Sequence, residues 1–135
     1  MLSTLHDGDV LLVNRLRTKH RLPDRGAIIV LARPASEEWV VKRAIGVAGD
    51  TLRFGRTGQV FRNGKPLSEP YATPFASEMN KDVKVPDDQV FVLGDNRPQS
   101  EDSRDYGCIP HDRIIGEVVR VLKRAAPTPG QASHR

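Results

Sequence analysis

One lysine of this chain lies among apolar residues in a segment typical of a β-strand, EWVVKRAIG (38–46). Alternate side chains of a strand share a face, so Lys42 shares its face with Val40 and Ala44. Such a lysine either extends to the rim of the sheet or is desolvated, which lowers the pKa of its amine because the charged form loses hydration. A neutral lysine can act as a general base.

A polar loop, GDNRPQSEDSR (94–104), directly follows the apolar run QVFVL. A desolvated amine needs a hydrogen-bond partner that orients it, and a hydroxyl does this without adding a charge that would keep the amine protonated. Ser100 and Ser103 each offer Lys42 such a hydroxyl. The alternative is a solvated surface turn, in which neither serine has a functional role.

The same loop also contains residues that are typical of a fixed, well-ordered turn. Asp102 and Arg104 stand two residues apart, close enough for an ion pair that fastens the loop. Gly94, Asp95 and Asn96 are turn formers that would release the chain from the preceding strand. The loop is therefore predicted to hold a hydroxyl in a fixed place at the end of that strand.

Composition predicts a single, mainly β domain. The chain has 135 residues, of which 5% are aromatic, so its core must consist mainly of Val, Ile and Leu. These residues occur in short runs between turn formers, which is typical of many strands and few helices. We expect a coiled, antiparallel β-sheet or barrel with no substantial helix.

Seven apolar segments are candidate strands, and Asn63-Gly64 is a two-residue hairpin signal because both central positions of a type I′ turn need positive φ. Residues 68–88 are polar and contain proline, which predicts a long excursion over the surface. The domain is expected to span 1–124 and to be followed by a disordered tail at 125–135. The candidate strands are 9–14, 27–32, 38–46, 51–55, 59–67, 89–95 and 114–124.

Charge and cysteine content exclude little but favour no metal or cofactor. The net charge is +4 with a pI near 9.6, which suits an anionic surface without requiring one. Cys108 is the one cysteine and the four histidines lack ligand spacing, so we expect no metal site. No apolar stretch is long enough to span a membrane, and as written the chain is expected to be soluble.

Three segments in order resemble the conserved boxes of type I signal peptidases, the Ser/Lys endopeptidases that remove secretory signal peptides. VVKRAIGVAGD (40–50) is similar to their lysine box, GDNRPQSEDSRDYG (94–107) to their GDNR loop, and MLSTLHDGDVLLVN (1–14) to the end of their nucleophile box. GQVFRNGKPL (58–67) is similar to the hairpin of the family. The resemblance covers residues 1 to about 120 and implies the signal-peptidase type of β domain.

The resemblance assigns a role to each matching residue. It implies that Lys42 is the general base and that Ser100 is the hydroxyl bonded to its amine. It also implies that five residues support the active-site loop, namely Gly94, Asp95, Asn96, Asp102 and Arg104.

The nucleophile of the family falls outside this sequence. The register set by TLHDGD (4–9) places Met1 on the methionine of the family, so the attacking serine is expected immediately before Met1. Ser3 is a poor substitute, because three places along an extended chain displace a group by about 10 Å and attack needs roughly 3–3.5 Å. We expect either a start that lies upstream, with the membrane anchor of the family, or an inactive relative.

The resemblance further implies that the partners are pre-proteins bearing signal peptides. The substrate would be an extended segment with small residues at the first and third positions before the cut, docked beside a strand edge. With an anchor upstream, the protein would sit at the plasma membrane with its catalytic domain on the extracytoplasmic side. No nucleic-acid partner is expected.

Other readings of the sequence are possible. One is a catalytically inactive paralogue, and another is a self-cleaving repressor with a Ser/Lys dyad, although no helix-turn-helix segment is found. A third is a non-enzymatic, basic β-barrel binding module for nucleic acid. That module would need aromatic stacking platforms among its basic residues, and the chain has only seven aromatic residues.

Overall fold

The computed structural model describes residues 5–73, 75 and 81–124, and this part of the chain is mainly β, as predicted. The α-helices there are single turns, α1 (Leu16–His20) and α2 (Ser103–Tyr106). The strands are β1 (Val10–Asn14), β2 (Ile28–Ala32), β3 (Trp39–Val47), β4 (Thr51–Phe54), β5 (Val60–Arg62), β6 (Lys65–Pro66), β7 (Val83–Lys84), β8 (Gln89–Leu93), β9 (Ile109–Pro110) and β10 (Ile114–Lys123).

The strands form two sheets whose ladders are antiparallel. The larger sheet has the order β1-β10-β2-β3-β8-β9, and the smaller has the order β6-β5-β4-β7. Neither sheet closes on itself within the described residues. The expected antiparallel sheet architecture is therefore confirmed, and the barrel that was its alternative is not formed.

Strand β3 connects the two halves of the core. It pairs with β2 over residues 39–43 and with β8 over residues 43–47. A bulge after Ala44 interrupts the second ladder and changes which way the following side chains point. As a result Ile45 is part of one apolar cluster while Val47 packs against the other.

Two apolar clusters form the core, and both consist mostly of β-branched residues and leucine. The first lies between the two sheets and contains Ile45, Leu52, Phe54, Val60, Val85, Phe91 and Leu93. The second covers one face of the larger sheet and contains Ile29, Leu31, Val90, Val92, Ile109 and Ile114.

The predicted hairpin at Asn63-Gly64 is confirmed. The two residues have φ of 53° and 82° and join β5 to β6, as a type I′ turn requires. The Asn63 side chain also accepts a 2.9 Å hydrogen bond from Thr51 N and donates a 3.0 Å bond to Asp50. The turn therefore anchors the smaller sheet to the end of β3.

The surface excursion predicted for 68–88 returns to the core at its end. Residues 83–84 form β7 against β4, and Val85 is 1% exposed. Elements as short as β7, β9 and α1 contain too few residues to show a periodicity, so the sequence did not predict them.

The tail predicted to be disordered, 125–135, lies outside the described residues. None of the helices in the described part has the length and apolar character needed to cross a membrane.

Asp50 is a buried carboxylate whose charge stabilises the junction of the sheets. It is 2% exposed and accepts hydrogen bonds from Arg25 at 2.5 and 2.8 Å and from Val47 N at 2.9 Å. Burial alone would raise the pKa of Asp50, but these donors together lower it from 3.8 to about 2. The ionised form therefore stabilises the folded state above pH 4, and this contribution is lost as the pH falls toward 2.

Asp50→Asn should therefore destabilise the protein by about 2 kcal/mol at neutral pH. The difference from the wild type should shrink as the pH falls from about 4 to about 2, because the wild-type carboxyl then becomes protonated. Thermal unfolding across this pH range measures both effects. Asp24→Asn is the control, since Asp24 pairs with Arg17 at 2.7 Å but is 67% exposed, and its loss should cost less than about 1 kcal/mol. Equal losses in the two variants would contradict the assignment.

Candidate active site

Lys42 lies on the face of the larger sheet that carries the second apolar cluster. Its neighbour across the ladder is Ile29, and Val40 on the same face lies opposite Leu31. The side chain is half-buried. Burial lowers the pKa of the Lys42 amine, and the nearby carboxylates of Asp102 and Glu101 only partly oppose this shift. The sequence allowed either a lysine that extends to the rim of the sheet or a desolvated lysine, and the structure has the second.

The amine of Lys42 meets the hydroxyl of Ser100. Lys42 Nζ lies 3.2 Å from Ser100 Oγ, and Ser100 Oγ lies 2.8 Å from Asp102 Oδ2. Since an ionised carboxylate only accepts, the single hydroxyl proton of Ser100 goes to Asp102. Ser100 can then only accept from Lys42, so an N–H of the amine points at Ser100 and the nitrogen lone pair, once the amine is neutral, points elsewhere.

Asp102 is the centre of the loop. Its carboxylate is fully buried and is paired with Arg104 through 2.9 Å bonds to both oxygens, as the sequence predicted. It also accepts a 3.1 Å bond from Gly94 N. Burial by itself would raise the pKa of Asp102, but Arg104 and the other donors outweigh burial and hold that pKa below its usual value. Asp102 therefore stays ionised as an acceptor.

Helix α2 sets the orientation of the Asp102 carboxylate and determines which of the two serines contacts Lys42. Asp102 caps the helix, accepting from Arg104 N, and its own N–H donates to Asp105 in a capping box. Ser103, the other serine considered for Lys42, instead accepts a 2.9 Å bond from Val92 N of β8. Ser103 thus fastens the loop to the sheet and leaves Ser100 as the partner of Lys42.

Gly94 provides clearance for Ser100. A Cβ atom built on Gly94 would lie 2.1 Å from Ser100 Oγ and 2.6 Å from its Cβ, far inside contact distance. Among the described residues Gly94 is not one of the glycines with positive φ. The close approach, and not a left-handed turn, is therefore what this position requires.

The other two predicted turn residues make specific contacts. Asp95 is buried and forms a two-pronged ion pair with Arg43, at 2.8 and 3.0 Å. Asn96 forms an isolated parallel bridge with Thr73. The sequence did not predict the pairing of Arg43 with Asp95, although a second cation beside Lys42, on the other face of an apolar strand, was a signal that a buried anion would be needed.

The remaining sequence expectations concern residues outside the site. Ser3, considered as a substitute nucleophile, lies outside the described residues. In the ranges that are described, His, Cys, Asp and Glu side chains nowhere gather in the threes that a metal ion needs. What the structure brings together is Lys42, Ser100, Asp102 and Arg104, a line of contacts from a desolvated amine to a buried ion pair.

Gly94→Ala should push Ser100 away from Lys42, because the new methyl group occupies the place of the hydroxyl. A crystal structure should show Lys42 Nζ and Ser100 Oγ no longer in hydrogen-bond contact, and the melting temperature should fall. Gly55→Ala is the matched control, since a Cβ there meets its nearest atom at an ordinary 3.5 Å. An unchanged contact between Lys42 and Ser100 in Gly94→Ala would contradict the clearance role.

Comparison with known proteins points to one family. The family model described as signal peptidase, peptidase S26 matches residues 1–123. The chain is 40% identical over 133 residues to probable signal peptidase I-2 of Synechocystis sp.. This alignment covers 93% of the present chain and 59% of the Synechocystis protein. It is 38% identical over 127 residues to signal peptidase I T of Bacillus subtilis, covering 86% and 65% respectively. The chain thus spans about three fifths of the length of these curated relatives.

A solved structure agrees with the sequence relatives. The crystal structure of a signal peptidase I from Enterococcus faecalis V583 matches with a TM-score of 0.62 and 31% sequence identity. The match covers 73% of this chain and 98% of that one. The likeness therefore extends from individual motifs to the arrangement of the strands that hold them.

Proposed function

Because this chain belongs to the peptidase S26 family of signal peptidases, we propose that it is the catalytic part of a Ser/Lys endopeptidase that cleaves signal peptides from exported pre-proteins. The observation that carries the proposal is the contact of a desolvated Lys42 with a hydroxyl that is itself held by a buried carboxylate. Lys42 is the general base and Ser100 orients it. No metal or cofactor takes part.

The reaction follows from the proton positions around Lys42. Neutral Lys42 takes the proton of the attacking serine, whose oxygen adds to the scissile carbonyl, and backbone N–H groups stabilise the oxyanion. Lys42 then gives that proton to the leaving amine. A water molecule repeats the two steps and releases the acyl group. Ser100 keeps one N–H of the amine occupied throughout, so the lone pair stays directed away from the loop.

The attacking serine is proposed to stand immediately before Met1, in the register of the nucleophile box. Ser3 is not proposed, because three places along an extended chain would displace a reacting group by about 10 Å. An anchor preceding that serine would hold the domain at the extracytoplasmic side of the plasma membrane, where exported pre-proteins emerge.

The substrate strand is proposed to dock on the free edge of β3. Residues 39–42 pair with β2 on one side, while β8 reaches β3 only from Arg43 onward. The chain leaves β8 at Gly94, and in the described part no other strand pairs with this edge. An extended peptide can therefore add to β3 and bring its scissile bond to Lys42. The preference for small residues at the first and third positions before the cut is proposed from the resemblance to the family.

Cleavage by a version extended with Ser before Met1 tests the proposal. This version should cut a pre-protein, and Lys42→Ala should reduce kcat by about 10²–10⁴-fold, the usual value of a general base. Ser100→Ala should reduce kcat with little loss of folding, whereas Asp102→Ala should harm both. Lys65→Ala, on the hairpin away from the site, is the control. Cleavage that persists in Lys42→Ala would contradict the role of the lysine, and an inactive extended chain would favour an inactive relative.

The pH dependence of the same assay reports on Lys42. The base must be neutral, so kcat/KM should rise with pH through the pKa of Lys42. Burial lowers that pKa from the ordinary 10.5, so the rise should lie below that pH. Glu101→Gln should move the rise to lower pH, because the Glu101 carboxylate favours the charged amine. An unshifted or upward-shifted profile in Glu101→Gln would contradict this electrostatic account.

A further inference from the structure

The segment 69–73, which precedes β7, lies against the loop that carries Ser100. Glu69 and Arg97 form an ion pair at 2.6 Å, and their side chains are only 10% and 5% exposed. Burying such a pair costs desolvation free energy, and removing one partner strongly destabilises the folded protein because the other charge is left buried and unpaired. Neither residue belongs to the contacts of Lys42, Ser100 and Asp102, so the pair needs a separate explanation.

Arg97 connects this ion pair to the site. Its Nε donates a 2.7 Å bond to the carbonyl oxygen of Gly94, and its own carbonyl oxygen accepts a 2.9 Å bond from Arg104. Gly94 is the residue whose backbone touches Ser100, and Arg104 is the ion partner of Asp102. The guanidinium of Arg97 thus fixes the backbone at Gly94, while the main-chain carbonyl of Arg97 holds the side chain of Arg104.

The same segment also contacts the strand that carries the lysine. Tyr71 stacks on the guanidinium of Arg43 at 3.8 Å, and its hydroxyl donates a 3.1 Å bond to Glu69. Burial raises the pKa of Tyr71 to about 12, so it remains a donor. Thr73 N donates to Asp95 O at 2.9 Å. Residues 69–73 therefore touch both β3 and the loop, whose separation sets the distance between Lys42 and Ser100.

We propose that Glu69 is a positioning residue of the active site, acting through Arg97 on the backbone of Gly94. This inference rests on the proposed function. The carboxylate holds the buried guanidinium where its Nε meets Gly94 O. Without that charge, Arg97 is buried with no anion beside it and turns toward water. Gly94 and Ser100 then move, and water reaches the amine of Lys42.

Three variants test this. Glu69→Gln keeps the size of the side chain and removes its charge. Arg97→Lys keeps the charge but loses the planar fork that bonds Glu69 and Gly94 together. Asp50→Asn is the matched control, because it also neutralises a buried carboxylate paired with an arginine, at the sheet junction away from Ser100.

The first readout is the titration of Lys42 by NMR, with its signal assigned from Lys42→Arg. In Glu69→Gln and in Arg97→Lys the midpoint should move up toward the ordinary lysine value, because water restores the hydration of the charged amine. In Asp50→Asn it should stay at the wild-type value, although this variant also loses stability. An unmoved midpoint in folded Glu69→Gln, or a wild-type titration in Arg97→Lys, would overturn the proposal.

The second readout is cleavage by the version extended with serine. Glu69→Gln should lower kcat by up to about 100-fold, the cost that a misplacement of about 1 Å can have. KM should change little, because Glu69 bonds to Arg97 and Tyr71 and not to residues 39–42 of the proposed docking edge. An equal kcat in Glu69→Gln and Asp50→Asn would also overturn the proposal. If the extended parent is inactive, the proposed function fails, while the Lys42 titration still decides whether Glu69 positions the site.

Discussion

The arrangement around Lys42 depends on the buried carboxylate of Asp102. It collects hydrogen bonds from Ser100, Gly94 and Arg104, and each bond restricts a different part of the loop. The bond from Ser100 matters most for chemistry, because it takes the only hydroxyl proton and leaves Ser100 as an acceptor. A carboxylate in direct contact with Lys42 would instead favour the charged amine. The serine between them allows a charge to orient the lysine without pairing with it.

The arginines around the site form ion pairs with carboxylates, whereas Lys42 contacts a hydroxyl. On one side of β3, Arg43 is neutralised by Asp95, and in the loop Arg104 is neutralised by Asp102. Lys42, on the apolar face between them, contacts a hydroxyl in place of a carboxylate. Desolvation therefore lowers the pKa of its amine, although Asp102, Glu101 and Asp105 partly oppose the shift, and a lowered pKa is what the proposed general base requires. The same departure of the chain at Gly94 that delivers Ser100 also exposes the edge of β3 beside the lysine.

The sequence could predict the parts of this site that are local or that repeat a known motif. The ion pair of Asp102 with Arg104 spans two residues, and the Asn63-Gly64 turn is set by backbone conformation alone. The pairing of Arg43 with Asp95 joins residues 52 apart, and that of Arg97 with Glu69 joins residues 28 apart. Such partners are selected by packing of the whole chain, so no spacing indicates them. The residues alone left both Ser100 and Ser103 open, because the choice depends on where α2 begins, and it was the resemblance to the family that indicated Ser100.

Neutron diffraction tests the central claim most directly, since it locates the protons of Lys42 and Ser100. In crystals studied over a series of rising pD, we expect the third deuteron to leave Lys42 Nζ below the ordinary lysine pKa of 10.5, with one of the two remaining deuterons directed at Ser100 Oγ. The deuteron of Ser100 should lie on the line to Asp102 Oδ2. A third deuteron that stays on the amine up to the ordinary pKa, or a Ser100 deuteron directed at Lys42, would contradict this arrangement.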